Sequence, residues 1–133
     1  MNPYLRFAVL IVHVALASYT AGIVLEQRRR RASRAVVTWL TLGVCFDVLA
    51  TAGMILGSQG SLFSLHGVLG YTALAGMLVD TVRIWRHRLA HGEAEVPRGL
   101  HLYSRFAYAW WVIAYFTGAA LVMAGRAGTA AAG

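Results

Sequence analysis

The chain has 133 residues, of which 59% are hydrophobic and only 13% are charged, and its formal net charge is +7. In soluble domains roughly a quarter of the residues are usually charged. The composition therefore excludes an ordinary soluble domain and predicts an integral membrane protein. No nucleophile–base set is visible, so we expect a binding or redox role rather than conventional enzyme catalysis.

Four apolar stretches divide the chain, at about residues 4–25, 35–57, 62–85 and 102–124. Each has the length of roughly 20 residues that a helix needs to cross a bilayer. A backbone in lipid must satisfy its hydrogen bonds within its own segment, which predicts an all-α fold. Because the connections are short, we expect a single domain, residues 1–133, folded as an up-down-up-down bundle of four transmembrane helices whose first helix is retained.

The distribution of arginine predicts the orientation of this bundle. All twelve basic residues are arginine, and only Arg6 and Arg126 lie outside two connecting regions, residues 26–35 and 86–101 with their flanks. Cytoplasmic loops carry an excess of basic residues, so both connections should be cytoplasmic and both termini outside. We expect a bacterial inner membrane location and no nucleic-acid partner. The expected partners are the lipid bilayer and either a second copy of the chain or a larger respiratory complex.

Ionisable residues inside the apolar stretches are the main candidates for a functional site. A rise of about 1.5 Å per residue places His13 and Asp47 near the bilayer midplane, with His66 nearer the outer surface. Asp80 and His101 fall near the cytoplasmic side. The sequence therefore predicts an outer cluster of the first three residues and an inner cluster of the last two.

The outer cluster is compatible with three kinds of chemistry. His13 and His66 lie on diagonally opposed helices, so their imidazoles can provide the two axial ligands of a b-type haem. Alternatively, His13, Asp47 and His66 form a two-histidine, one-carboxylate metal set, or Asp47 and the histidines form a proton path. A purely structural role, in which Asp47 bonds to His13, Thr51 or nearby tyrosines, stays open.

Helix four carries a stripe of polar and aromatic side chains at helical spacing. Its members are His101, Ser104, Tyr108, Trp111 and Tyr115. Such a stripe faces one side of a helix and is typical either of core packing or of an aromatic-lined pocket. We therefore take His101 as a further cofactor-binding candidate and Tyr108, Trp111 and Tyr115 as candidate lining residues. Asp80 on the third helix is a further candidate site residue.

An ordered series of short motifs resembles the HsmA family of small four-helix membrane proteins. The motifs are Tyr19–Gly22 with Glu26, Trp39–Gly43 with Phe46 and Asp47, Gly53 and Met54, His66–Gly70, Met77, His101–Ser104, and Thr117 with Gly118. The layout is more distantly similar to cytochrome b561-type bundles and to small membrane proteins tied to cytochrome oxidase assembly.

The resemblance implies the four-helix fold and its topology more firmly than it implies an activity. In the family pattern a histidine stands fourteen residues after the His-Gly motif, where this chain has Asp80. If the family's inner histidine pair holds haem, this chain lacks one ligand there. Haem would then use His66 with His13, and His101 would form an ion pair or metal contact with Asp80.

Taken together, these features predict a small cytochrome b-like membrane protein that binds haem for electron transport or for haem-copper oxidase assembly. Two alternatives remain. One is a non-catalytic accessory or scaffold subunit of a membrane complex. The other is a proton- or ion-coupled transporter that uses Asp47.

Overall fold

The computed structural model describes residues 3–57 and 65–132, except for the side chains of residues 65, 66, 121, 122 and 124–132. The described residues form four α-helices. They are α1 (Pro3–Arg29), α2 (Arg34–Gly57), α3 (Leu65–His91) and α4 (Arg98–Ala132). The fold is therefore all-helical, as the sequence predicts.

Local capping chemistry ends the first helix and begins the second. Arg30 follows α1 with a φ of 51°, and its backbone N–H donates to the carbonyl of Glu26 at 2.6 Å, which closes the last turn of α1. Ser33 then precedes α2, and its hydroxyl accepts from the N–H of Val36 at 3.3 Å. Only residues 30–33 remain between these two helices.

The third helix ends at a glycine. Gly92 has a φ of 61°, and its N–H donates to the carbonyl of Arg88 at 2.7 Å. A glycine adopts this left-handed conformation without the steric penalty of a Cβ atom. Pro97 precedes α4, and its carbonyl accepts from the N–H of His101 at 2.9 Å.

The two connections, residues 30–33 and 92–97, lie against each other. The N–H of Val96 donates to the carbonyl of Arg30 at 2.7 Å, and the guanidinium of Arg88 donates to the carbonyl of Ala32 at 2.9 Å. The guanidinium of Arg31 donates to the carbonyl of Glu93 at 3.0 Å. The junction of the four helix ends is thus held mainly by bonds to backbone carbonyls.

The helices pack around a core of large side chains. α1 contacts α2 most extensively and α3 contacts α4, with smaller contacts between α2 and α3 and between α1 and α4. Fully buried side chains come from every helix and from the junction. The largest are Tyr19, Leu40, Met77 and Ile84. Many apolar side chains point outward instead, including Leu10, Leu56, Phe106 and Phe116, as expected where the surrounding solvent is lipid.

Among the residues that the structure describes, three helical segments are long and apolar enough to cross a membrane: Pro3–Arg29, Arg34–Gly57 and Gly67–His91. The predicted fourth stretch, about residues 102–124, lies within α4. Three of the helices were predicted too short. α1 continues to Arg29, α3 continues to His91, and α4 already begins at Arg98. The predicted loops at 26–35 and 86–101 therefore shrink to residues 30–33 and 92–97. Hydropathy detects the apolar span, whereas the caps at Arg30 and Gly92 set the helix ends.

Candidate functional site

Asp47 lies at the centre of a buried contact between three helices. Its Oδ2 accepts two hydrogen bonds, from the Tyr19 hydroxyl of α1 at 3.0 Å and from the Trp111 indole N–H of α4 at 2.8 Å. Asp47 is only 5% exposed, and both donors are buried too. We call these three residues the Asp47 cluster. The cluster links α2 to both α1 and α4. The sequence left open a structural role in which Asp47 bonds to a nearby tyrosine, and Tyr19 is that tyrosine.

Gly43 makes room for this cluster. It lies one turn before Asp47 on α2, and a Cβ atom there would be only 2.3 Å from Cδ1 of the Tyr19 ring. That distance is far inside van der Waals contact, so a side chain at position 43 would displace the ring. Gly43 therefore lets Tyr19 lie flat against α2 and reach the carboxylate.

Aromatic packing extends the Asp47 cluster along α4. The Trp111 ring meets Tyr19 edge to face at 5.0 Å and stacks on Tyr115 at 5.9 Å. Tyr108 shares a hydrogen bond of 2.6 Å with the hydroxyl of Thr20. These contacts favour the packing interpretation of the α4 stripe at Tyr108 and Trp111, whereas Trp110 points outward and bonds to Thr72.

A second polar cluster lies near the junction of the helix ends. The carboxylate of Glu26, 0% exposed, accepts from His101 Nδ1 at 2.9 Å and from the Gln27 amide at 2.6 Å. The same amide donates to the carbonyl of His101 at 3.0 Å, and Arg105 donates to the Gln27 carbonyl oxygen at 3.0 Å. We call Glu26, Gln27, His101 and Arg105 the Glu26 cluster. It fastens the end of α1 to the start of α4.

Asp80 occupies a separate buried position on α3. Its Oδ1 accepts a short hydrogen bond from the Ser104 hydroxyl, one turn after His101 on α4. Its Oδ2 is buried without a hydrogen-bond partner in the described part of the chain. The expected ion pair between His101 and Asp80 is therefore wrong. His101 bonds to Glu26 instead, because α1 and α4 bring that carboxylate to its Nδ1.

His13 does not join Asp47 in an outer cluster. Its ring is exposed on α1, and its Nδ1 donates to the carbonyl of Val9 one turn earlier. The ring meets Tyr115 edge to face at 5.7 Å. Since a carbonyl oxygen only accepts, this bond fixes the Nδ1–H tautomer of the neutral ring and leaves the lone pair on Nε2. No described residue bonds to that nitrogen.

His66 belongs to the first turn of α3, but its side chain lies outside the described residues. The haem ligand pair of His13 with His66, and the metal set that adds Asp47, therefore remain predictions. Among the side chains that the structure describes, no group of three or more histidine, cysteine, aspartate or glutamate residues is arranged to hold a metal. The geometry also separates His13 from His101. His101 contacts Glu26, which follows His13 by 13 residues, or about 20 Å along α1.

Sequence reasoning gave no separate role to Tyr19, Glu26 or Gly43 within the polar contacts. Tyr19, Gly22, Ile23 and Glu26 follow the three- and four-residue spacing of one buried helix face. That spacing could have marked Glu26 as an inward carboxylate. Helical spacing could not predict the partner of Glu26, because His101 is 75 residues away in sequence.

Comparison of the chain with protein-family models, with curated proteins and with solved structures gives no match.

Proposed function

We propose that this chain is an integral membrane protein that binds a b-type haem through His13 and His66 and serves electron transfer or haem-copper oxidase assembly. The proposed topology is an up-down-up-down bundle in the bacterial inner membrane, with both termini outside. The contact between residues 30–33 and 92–97 supports this topology because it gathers both connections at one end, together with the arginines in the first connection and in the adjoining helix ends.

The state of the His13 ring is the observation that carries the haem proposal. A histidine that ligates iron usually donates its other N–H to a carbonyl or carboxylate, which fixes the tautomer and the ring orientation. His13 does this through Val9, and its exposed ring leaves Nε2 accessible to a planar ligand. Its donor chemistry therefore fits a residue that would hold a haem iron.

The chain's own residues would hold and orient this group. His13 supplies one ligand nitrogen, Tyr115 limits the rotation of that ring by its edge contact, and His66 is the proposed second ligand. His101 is too far along the bundle axis to share one iron with His13. A bound b-type haem would supply one-electron transfer at its iron.

Absorption spectroscopy of the full-length protein, purified from haem-replete cells, tests the proposal. We expect a Soret band that shifts on reduction with dithionite. His13→Ala and His66→Ala should each lose most of the bound haem, and added imidazole should partly restore binding to His13→Ala because that ring is exposed. His91→Ala is the matched control, since His91 is an exposed histidine at the end of α3.

A colourless preparation, or His13→Ala and His66→Ala variants that keep the spectrum of the parent protein, would contradict haem binding. Colourless protein that co-purifies with other membrane subunits in mild detergent would instead favour the accessory-subunit alternative. Circular dichroism of each variant shows whether lost haem reflects a lost ligand or a lost fold.

The transporter alternative depends on Asp47, whereas the geometry supports a structural role for that residue. Both donors within the Asp47 cluster already bond to one of its oxygens. A carboxylate that anchors three helices is poorly placed to release its partners during each transport cycle. Ion flux into liposomes that is abolished by Asp47→Asn, in a variant of unchanged stability, would revive the alternative.

A further inference from the structure

The buried carboxyl of Asp80 has no part in the haem proposal. Its side chain is 0% exposed, Ser104 satisfies Oδ1, and Oδ2 has no partner in the described part of the chain. Buried polar atoms in proteins are nearly always hydrogen-bonded, and an ionised carboxylate with a bare oxygen is especially unfavourable in an apolar environment. The unpaired oxygen therefore requires a ligand or a proton.

The neighbours of Asp80 indicate which of these it takes. Charged and titratable groups on α1, on α4 and on its own helix lie close enough to influence it electrostatically. They are Glu26 and Tyr19 on α1, Tyr103 on α4, and Arg83 on α3. Arg83 is exposed, and its guanidinium lies over the Tyr103 ring at 5.0 Å from the centroid. It therefore does not bond to Oδ2. No metal-binding group occurs among the described side chains, which disfavours a cation as the ligand.

Glu26 and Asp80 differ in the number of donors that their carboxyl oxygens have. Glu26 has a donor on each oxygen, His101 on Oε1 and Gln27 on Oε2. In the described part of the chain, Asp80 has one donor, on Oδ1, and its Oδ2 has none. A buried carboxyl oxygen without a donor is less unfavourable when it carries a proton, because an apolar environment disfavours the charged form.

We propose that Asp80 Oδ2 is a proton-binding site that exchanges its proton with water at the junction end of the bundle. Binding forms one O–H bond at Oδ2 and converts a hydronium ion to water, and release reverses this step. Asp80 bonds to Ser104, which lies one turn from His101 near the junction. Arg83 and Arg105 are exposed close to these two residues in sequence, so we take the junction end as the access side. The ligand is the proton, and Ser104 positions the carboxyl that holds it.

Infrared difference spectroscopy of the full-length protein in lipid vesicles at neutral pH tests this site. A protonated carboxylic acid gives a C=O stretching band that a carboxylate lacks. We expect such a band in the parent protein and its loss in Asp80→Asn. Asp47→Asn is the matched control, since it removes the other buried aspartate and should leave the Asp80 band in place.

Two further readouts separate a proton site from a merely structural carboxyl. Ser104→Ala removes the hydrogen bond to Oδ1, so the band should persist and move to higher frequency. Transfer into heavy water should move the band to lower frequency, because the bound proton exchanges with solvent. A missing band, a band unchanged in Asp80→Asn, or a band insensitive to heavy water would overturn the proposal. None of these outcomes depends on haem, so the two proposals fail independently.

Discussion

Asp47 and Asp80 are two buried aspartates on neighbouring helices, and their surroundings differ in hydrogen bonding rather than in burial. Asp47 accepts from two donors that belong to different helices. Among the described residues, Asp80 accepts from Ser104 alone and keeps one oxygen unpaired. Burial does not separate the two aspartates, because both are buried, whereas their donors do. We infer that Asp47 stabilises the fold and that Asp80 is available for proton chemistry.

Replacing each aspartate by leucine is the strongest test of this difference. Asp47→Leu leaves the Tyr19 hydroxyl and the Trp111 N–H buried without an acceptor, which should reduce the free energy of unfolding by roughly 1–4 kcal/mol. Asp47→Asn keeps an acceptor oxygen and should lose much less. Unfolding in mixed micelles, followed by tryptophan fluorescence, measures the change.

Asp80→Leu provides the contrast. Only the Ser104 hydroxyl loses its partner there, and a serine in a helix can bond instead to a carbonyl one turn earlier. The substitution also removes the unpaired oxygen. We expect a change within about 1 kcal/mol. If Asp80→Leu destabilised the protein as strongly as Asp47→Leu, the two aspartates would have the same structural role and the comparison would fail.

An effect somewhat smaller than that of Asp47→Leu is expected at Gly43, which makes room for the Tyr19 ring of the Asp47 cluster. Gly43→Ala places a Cβ atom 2.3 Å from Tyr19 Cδ1, so the ring must shift away from Asp47. Overpacking of this kind usually costs about 1–3 kcal/mol. Gly70→Ala is the matched control, because at that position on α3 no described atom lies within 4 Å of the added atom. The control should be neutral or slightly stabilising, since alanine favours a helix by about 1 kcal/mol over glycine.

Near-ultraviolet circular dichroism adds a local readout to the Gly43 test, since it reports the environments of Tyr19 and Trp111. Equal stability and equal spectra in Gly43→Ala and Gly70→Ala would show that the Tyr19 ring does not depend on the missing side chain. The donor distances in the Asp47 cluster would then not explain how the ring is held.

The contrast between these clusters also shows what the sequence can predict. Four apolar stretches predict the helices, and the spacing of His101, Ser104 and Trp111 predicts one inward face of α4, which the structure buries. Such patterns are local, because they follow from 3.6 residues per helical turn. The helix ends were harder to predict, since charged residues such as Arg29 and Arg88 continue the helices beyond the apolar span.

Partners across the bundle were the least predictable feature. The pairing of His101 with Glu26 rather than Asp80 depends on how the end of α1 approaches the start of α4. Depth along the helices places both carboxyls near His101, and only the rotation of each helix decides between them. His13 shows the same limit, because depth places it beside Asp47 while its rotation turns the ring toward Tyr115.

The exposed ion pair at the junction should contribute least of all. Arg30 and Glu95 approach to 2.9 Å, but their side chains are 38% and 66% exposed. Exposed pairs of this kind contribute about 0–1 kcal/mol because water screens them. We expect Glu95→Ala to change the free energy of unfolding by less than about 0.5 kcal/mol, as measured in the same micelle assay. Glu93→Ala, which removes a longer contact of 3.9 Å to Arg88, is the matched control.

This last test separates side-chain charge from backbone bonding at the junction. Val96 is fully buried and its N–H bonds to the Arg30 carbonyl at 2.7 Å, a contact that Glu95→Ala leaves intact. A loss well above 1 kcal/mol that disappears in high salt would assign the junction to the ion pair. A small loss of stability that is independent of salt would show that the backbone contacts hold the junction. The polar contacts important for stability would then be the buried hydrogen bonds rather than the exposed ion pair.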